Sequence, residues 1–130
     1  MNKKIVFFGL LLATASVTAN QKATYFDVFF SKNKGKYLTT QEIKKSIGAM
    51  VEKYGVNATD TKGHNLLWYA LETGNTELVT YMIETFKALP NQDDYDKVKW
   101  ESLKYKKNKY DTNLKLVEKA MTAAGKKIPK

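Results

Sequence analysis

Between Asn57 and Glu84 the chain reads NATDTKGHNLLWYALETGNTELVTYMIE, and this stretch leaves little freedom in the fold. A polar turn from Asp60 to Gly63 precedes Leu66, Leu67, Ala70 and Leu71, which are spaced to line one face of a helix. Gly74-Asn75 interrupts that run, because Gly accepts positive φ at no steric cost. Leu78, Val79, Met82, Ile83 and Phe86 then resume the helical spacing. The pattern predicts a first helix over about 65–73 and a second capped by Asn75 or Thr76. The second ends before Pro90, since a residue preceding Pro resists the α region. A short helix pair of this kind buries its apolar stripes only against neighbours like itself.

The flanking sequence supplies candidates for those neighbours. Thr39-Thr40-Gln41-Glu42 is a capping box, opening a helix with Ile43, Ile47, Met50 and Val51 on one face and Gly55 as its left-handed cap. Upstream, Tyr25, Phe26, Phe29 and Phe30 share a helical face, although aromatics suit a strand as well. SKNKGK, residues 31–36, reads as a basic connection, and Asn91 to Lys97 as a polar loop. Trp100 and Leu103 begin another helix, KKNKYD at 106–111 breaks it, and Asn113 to Ala123 forms the last helix. Aligned on their second helices, Met50-Val51, Met82-Ile83 and Ala120-Met121 are equivalent, with spacings of 32 and 38 residues. A period in the low thirties built from helix pairs marks a repeat solenoid.

The residues of the central unit resemble the ankyrin repeat. Asp60 and Gly63 match its turn, Leu67 and Ala70 its first helix, Gly74 its break, and Leu78-Val79 with Met82-Ile83 its second helix. Val56-Asn57-Ala58 matches the linker that enters a unit. Asn65, Leu66 and Trp68 depart from the family's Thr, Pro and His, so Asn65 is expected to cap the first helix. Helix-pair repeats of other kinds are the structural alternative. The resemblance implies an all-α, ankyrin-like solenoid of about three helix-turn-helix repeats over 37–125, with degenerate terminal repeats and residues 20–36 as an N-terminal cap. Residues 126–130 form a basic tail. The resemblance also implies a protein-binding face of turn tips and first-helix residues. Here that face comprises Thr61, Lys62, His64, Tyr69, Glu72 and Thr73, with Asp93, Asp94 and Tyr95 in the third unit. For Trp68, core packing is the better reading.

Destination is read from the first residues. Met1 to Lys4 is basic, Ile5 to Leu12 is apolar, and Val17-Thr18-Ala19 is a small-x-small cleavage pattern. Residues 1–19 thus read as a secretory signal peptide, the apolar run being too short for the roughly 20 residues a spanning helix needs. Export is the expected destination, to the periplasm if the source is a Gram-negative bacterium, with no stable membrane anchor after processing. The chain has no cysteine, so neither a lipid-anchored lipoprotein nor a disulfide framework is available. Its net charge is +9, which becomes +7 once Lys3 and Lys4 are removed.

Chemistry is sparse in this sequence. His64 is the one histidine, and there is no partner set of His or Cys for a metal. Asp93, Asp94 and Asp96 lack the Gly and distal Glu of a calcium loop. Every positive side chain is Lys, with no Arg for bidentate phosphate or base contacts, which argues against nucleic acid as the partner of the Lys104–Lys109 cluster. The expectation is a non-enzymatic module without cofactor, binding one protein partner of acidic character. An immunity protein against a secreted toxic effector is the leading subtype, and a periplasmic accessory protein supporting a resident enzyme in stress defence is the alternative.

Overall fold

The computed structural model describes the backbone of residues 19–128 and the side chains of residues 25–128. The expected signal sequence lies outside the described residues except for Ala19, as do the last two residues of the basic tail. Among the described residues six α-helices run in chain order: α1 Ala19–Phe30, α2 Thr40–Tyr54, α3 Leu66–Thr73, α4 Thr76–Thr80, α5 Gln92–Tyr105 and α6 Asn108–Ala123. Helix α4 continues as a π-helical turn, Tyr81–Thr85. A two-stranded antiparallel hairpin, β1 Lys32–Asn33 and β2 Lys36–Tyr37, joins α1 to α2. The protein is therefore mostly helical, and it divides after Leu66 into two compact units. That division falls within the stretch 37–125 read from sequence as one repeat domain.

In the first unit α1 packs on α2. Tyr25, Val28 and Phe29, at i, i+3 and i+4, are buried together with Ile43 and Ile47. Tyr25 is fully buried, meets the Tyr54 ring edge-on at 6.4 Å and donates its hydroxyl to the Ala58 carbonyl at 3.2 Å. The aromatic face expected from sequence is thus rotated. Phe26 is 52% exposed and stacks on Phe30 outside the core, because Val28 takes the inner position between Tyr25 and Phe29. The capping box forms as read: the Thr39 hydroxyl accepts from Glu42 N–H at 3.2 Å while Glu42 Oε1 accepts from Thr39 N–H at 2.8 Å. At its other end α2 stops on Gly55, whose φ of 92° and ψ of 152° lie in extended space open to glycine, outside the left-handed helical region. The basic connection is a two-residue hairpin turn: Lys34 and Gly35 both have positive φ, 55° and 81°, as a type I′ turn demands.

The second unit is built from two helix pairs. Leu67, Ala70, Leu71, Leu78, Val79 and Met82 are buried, and α4 packs against α6. Each fully buried Leu contributes on the order of 1.5–3 kcal/mol. Asn75 caps α4, accepting from Glu77 N–H at 3.0 Å and from Leu78 N–H at 3.4 Å. The π turn ends in a reversal at Lys87, φ 57°, with Ala88 N–H donating to the Met82 carbonyl at 3.0 Å. This bond spans one residue more than the six-to-one bond of a common helix stop, as suits a π turn, with Lys87 in the left-handed position usually given to glycine, and it stops the helix before Pro90 is reached.

Helix α5 corrects the reading of Asn91–Lys97 as a loop. Asn91 and Asp94 form a reciprocal capping box, each side chain accepting the other's N–H at 2.9 Å, and the helix starts at Gln92. Its inner stripe is Asp94, Tyr95, Val98 and Glu101. Trp100 and Leu103, read from sequence as the start of a helix, lie well inside α5 and are 52% and 64% exposed. The apolar pattern misleads because two carboxylates occupy inward positions. Helix α6 begins at Asn108, five residues earlier than expected, after a break at Lys106, whose φ is 51°. Asn113, Val117 and Met121 form its buried face at four-residue spacing, and Asn113 Oδ1 accepts the Thr76 hydroxyl at 2.8 Å.

Candidate functional site

The turn that precedes α3 is fixed by one carboxylate. Asp60 is 4% exposed, and its Oδ1 accepts from Lys62 N–H at 2.9 Å and from His64 N–H at 3.1 Å. Main-chain bonds close the same loop, Asp60 N–H to the His64 carbonyl and Gly63 N–H to the Asp60 carbonyl, both at 2.9 Å. Gly63 has φ 82°, so a side chain there would strain the backbone. Thr59 and Asn65 pair as an antiparallel bridge across the loop's base, and Asn65 is buried directly before α3. The outcome is an ordered loop whose tip, Thr61, Lys62 and Gly63, is exposed, with His64 half-buried. Within the first unit the structure therefore gathers Thr61, Lys62 and His64 on one turn.

The remaining expected contact residues belong to the second unit, and most have structural duties. Tyr69, Asp94 and Tyr95 are 5%, 0% and 4% exposed, which corrects their reading as surface contacts. Tyr69 packs edge-on against Trp68 at 5.1 Å, and Asp94 caps α5. Thr73 donates its hydroxyl to the Ala70 carbonyl at 2.6 Å and accepts from Asn75 N–H at 3.0 Å, closing α3 at the Gly74 break. Asp93 is exposed in the first turn of α5. Glu72 is 44% exposed and is engaged by Lys97.

Lys97 is the centre of a polar arrangement that sequence reading missed. Its ammonium pairs with Glu72, lies 3.4 Å from Glu101 Oε2, and sits 4.1 Å above the Trp68 ring. One cation thus serves two carboxylates and an indole. Glu101 is nearly buried and its Oε1 accepts no hydrogen bond. Burial is the largest influence on its carboxyl and raises its pKa above the ordinary value, with Lys97 opposing the shift. The Tyr110 hydroxyl is also shifted upward, first by burial and next by the Glu101 charge. The i, i+4 spacing of Lys97 and Glu101 was legible in the sequence, but nothing marked that face of α5 as the inner one.

Among the described residues, no three His, Asp or Glu side chains are arranged to hold a metal ion, and no helix is long and apolar enough to cross a membrane. No family model, curated protein or solved structure matches the chain.

Proposed function

We propose that the chain is a small exported, non-enzymatic helical module that binds one protein partner through the Asp60–His64 turn. The turn itself carries this reading. Its backbone is ordered before any partner arrives, held by two bonds to Asp60 Oδ1, while Thr61 and Lys62 project outward. A preordered loop loses less conformational entropy on association than a mobile one. Helix pairs joined by short breaks, as α3 and α4 are, support an ankyrin-like use of turn tips for recognition. The basic start and apolar run of residues 1–12 support export, and the surplus of Lys suits an acidic partner. Neutralisation of a secreted toxic effector by occlusion is the subtype this reading favours.

Affinity capture with the full chain, followed by titration of the recovered partner, tests the reading. Thr61→Asp/Lys62→Glu should weaken binding at least about tenfold, the loss of one central polar contact being worth about 1.4 kcal/mol or more, with unchanged circular dichroism. Affinity that survives this change refutes the assignment of the turn. For the subtype, deletion of the gene should make cells sensitive to killing by their sisters; undiminished survival removes the immunity reading.

A further inference from the structure

The corner between α5 and α6 is the strongest unexplained surface in the described residues, and it stands apart from the turn assigned above. Seven successive residues, Leu103 to Lys109, are exposed there, so the corner projects from its unit. Trp100 and Leu103, one helical turn apart on α5, are 52% and 64% exposed, and Tyr105 is 43% exposed. Around them stand Lys99, Lys104, Lys106, Lys107 and Lys109, all exposed. Lys104 holds its ammonium 4.6 Å from the Trp100 ring and 5.6 Å from that of Tyr105. Tyr105 lies 5.1 Å from the Tyr110 ring, beneath which Lys109 sits at 5.1 Å. Two acids adjoin the segment: Glu101 is turned inward, and Asp111 is held by the Ser102 hydroxyl at 2.5 Å.

We propose that this corner is a docking surface for an anionic phospholipid bilayer, with Trp100, Leu103 and Tyr105 entering the interface and the five lysines lying among the headgroups. The shape is the first reason: a projecting apolar corner fits a soft, flat surface, whereas a folded partner would need a cavity to receive it. Composition is the second. Trp and Tyr favour the membrane interface, having an apolar body and a polar tip. Lys lays its alkyl stem on apolar surface and keeps its head in water. The third is charge. Ammonium groups without any Arg act as point charges, matched to a diffuse negative potential more than to bidentate recognition of single phosphates.

The test uses the full chain with vesicles of pure phosphatidylcholine or of phosphatidylcholine with 30% phosphatidylglycerol. Because the apolar run of residues 5–12 has a lipid affinity of its own, recruitment alone decides nothing, and the readout is the depth of Trp100. On the anionic vesicles, acyl-chain brominated lipid should quench a fraction of the Trp emission with a blue shift. Trp100→Phe should abolish that quenching while leaving the Trp68 signal and the circular dichroism intact. Lys104→Glu/Lys107→Glu should lower the quenched population about tenfold or more. Wild-type emission that brominated lipid leaves unquenched overturns the proposal. So does quenching retained in Trp100→Phe. Saturable, lysine-dependent binding of polyglutamate in place of lipid quenching would also overturn it and give the corner to an acidic polypeptide.

Discussion

Removing the Asp60 side chain isolates the physics of the turn. Asp60→Ala deletes one oxygen that accepts two backbone N–H groups, from Lys62 at 2.9 Å and His64 at 3.1 Å. Bonds to a charged acceptor are worth about 1.5–3 kcal/mol each. The two do not count equally here. Lys62 is exposed, so its N–H recovers a water, whereas His64 is half-buried beside the buried Asn65. The lower end of the range for each bond gives about 3 kcal/mol, reduced toward 2 by rehydration at Lys62. The two main-chain bonds between Asp60 and its loop partners remain, so the loop loosens without losing its path. Urea unfolding should show a midpoint shift equivalent to about 2–3 kcal/mol with an unchanged slope. Amide exchange at Lys62 and His64 should accelerate more than elsewhere in the first unit. Asp60→Asn retains an acceptor oxygen and should lose about half as much. A stability change for Asp60→Ala below 0.5 kcal/mol would refute the assignment of Asp60 as the residue that orders the turn.

Three further changes test other features. Lys106→Gly relieves a non-glycine residue at φ 51° and should stabilise the protein by about 0.5–1 kcal/mol in thermal denaturation. Gly74→Ala places a side chain at φ 71°, with its Cβ 3.0 Å from the Tyr110 hydroxyl and 3.1 Å from Lys109 Nζ. Those neighbours can move, so the cost is mainly the backbone's, about 1–2 kcal/mol, and Tyr110→Phe added to it should restore little. Glu101 has a raised pKa in the fold, so its contribution is fully present below the unfolded value and is lost as pH rises through the folded value. The stability of wild type relative to Glu101→Gln, followed by urea titration, should therefore fall between acidic and neutral pH; a rise would contradict the burial of that carboxyl.

Where local chemistry decided the structure, the sequence was readable. Thr39 and Glu42 announced α2, Asn75 announced α4, and Asp60 with Gly63 announced the turn, because each acts on backbone groups within four residues. Reading failed where tertiary context overrode pattern. Asp94 and Glu101 face inward on α5, one capping the helix and the other lying beside Lys97, while the large apolar Trp100 and Leu103 face outward, so the inner stripe has no plain apolar pattern. The same inversion made a loop of Asn91–Lys97 and offered Asp94 and Tyr95 as surface contacts. Val28 went unnoticed among four aromatics, yet it fixes which of them point inward. Lys87 and Lys106 end helices in a conformation that glycine would have advertised.

The most direct test of a protein-binding turn is site-specific photo-crosslinking in the cells that make the protein. A benzophenone amino acid at Thr61 or Lys62 is compared with the same group at Lys45, an exposed position on α2 of the same unit. One covalent adduct of defined mass is expected from positions 61 and 62 and none from position 45. An equal spread of adducts from all three positions, or none from the turn, would contradict it.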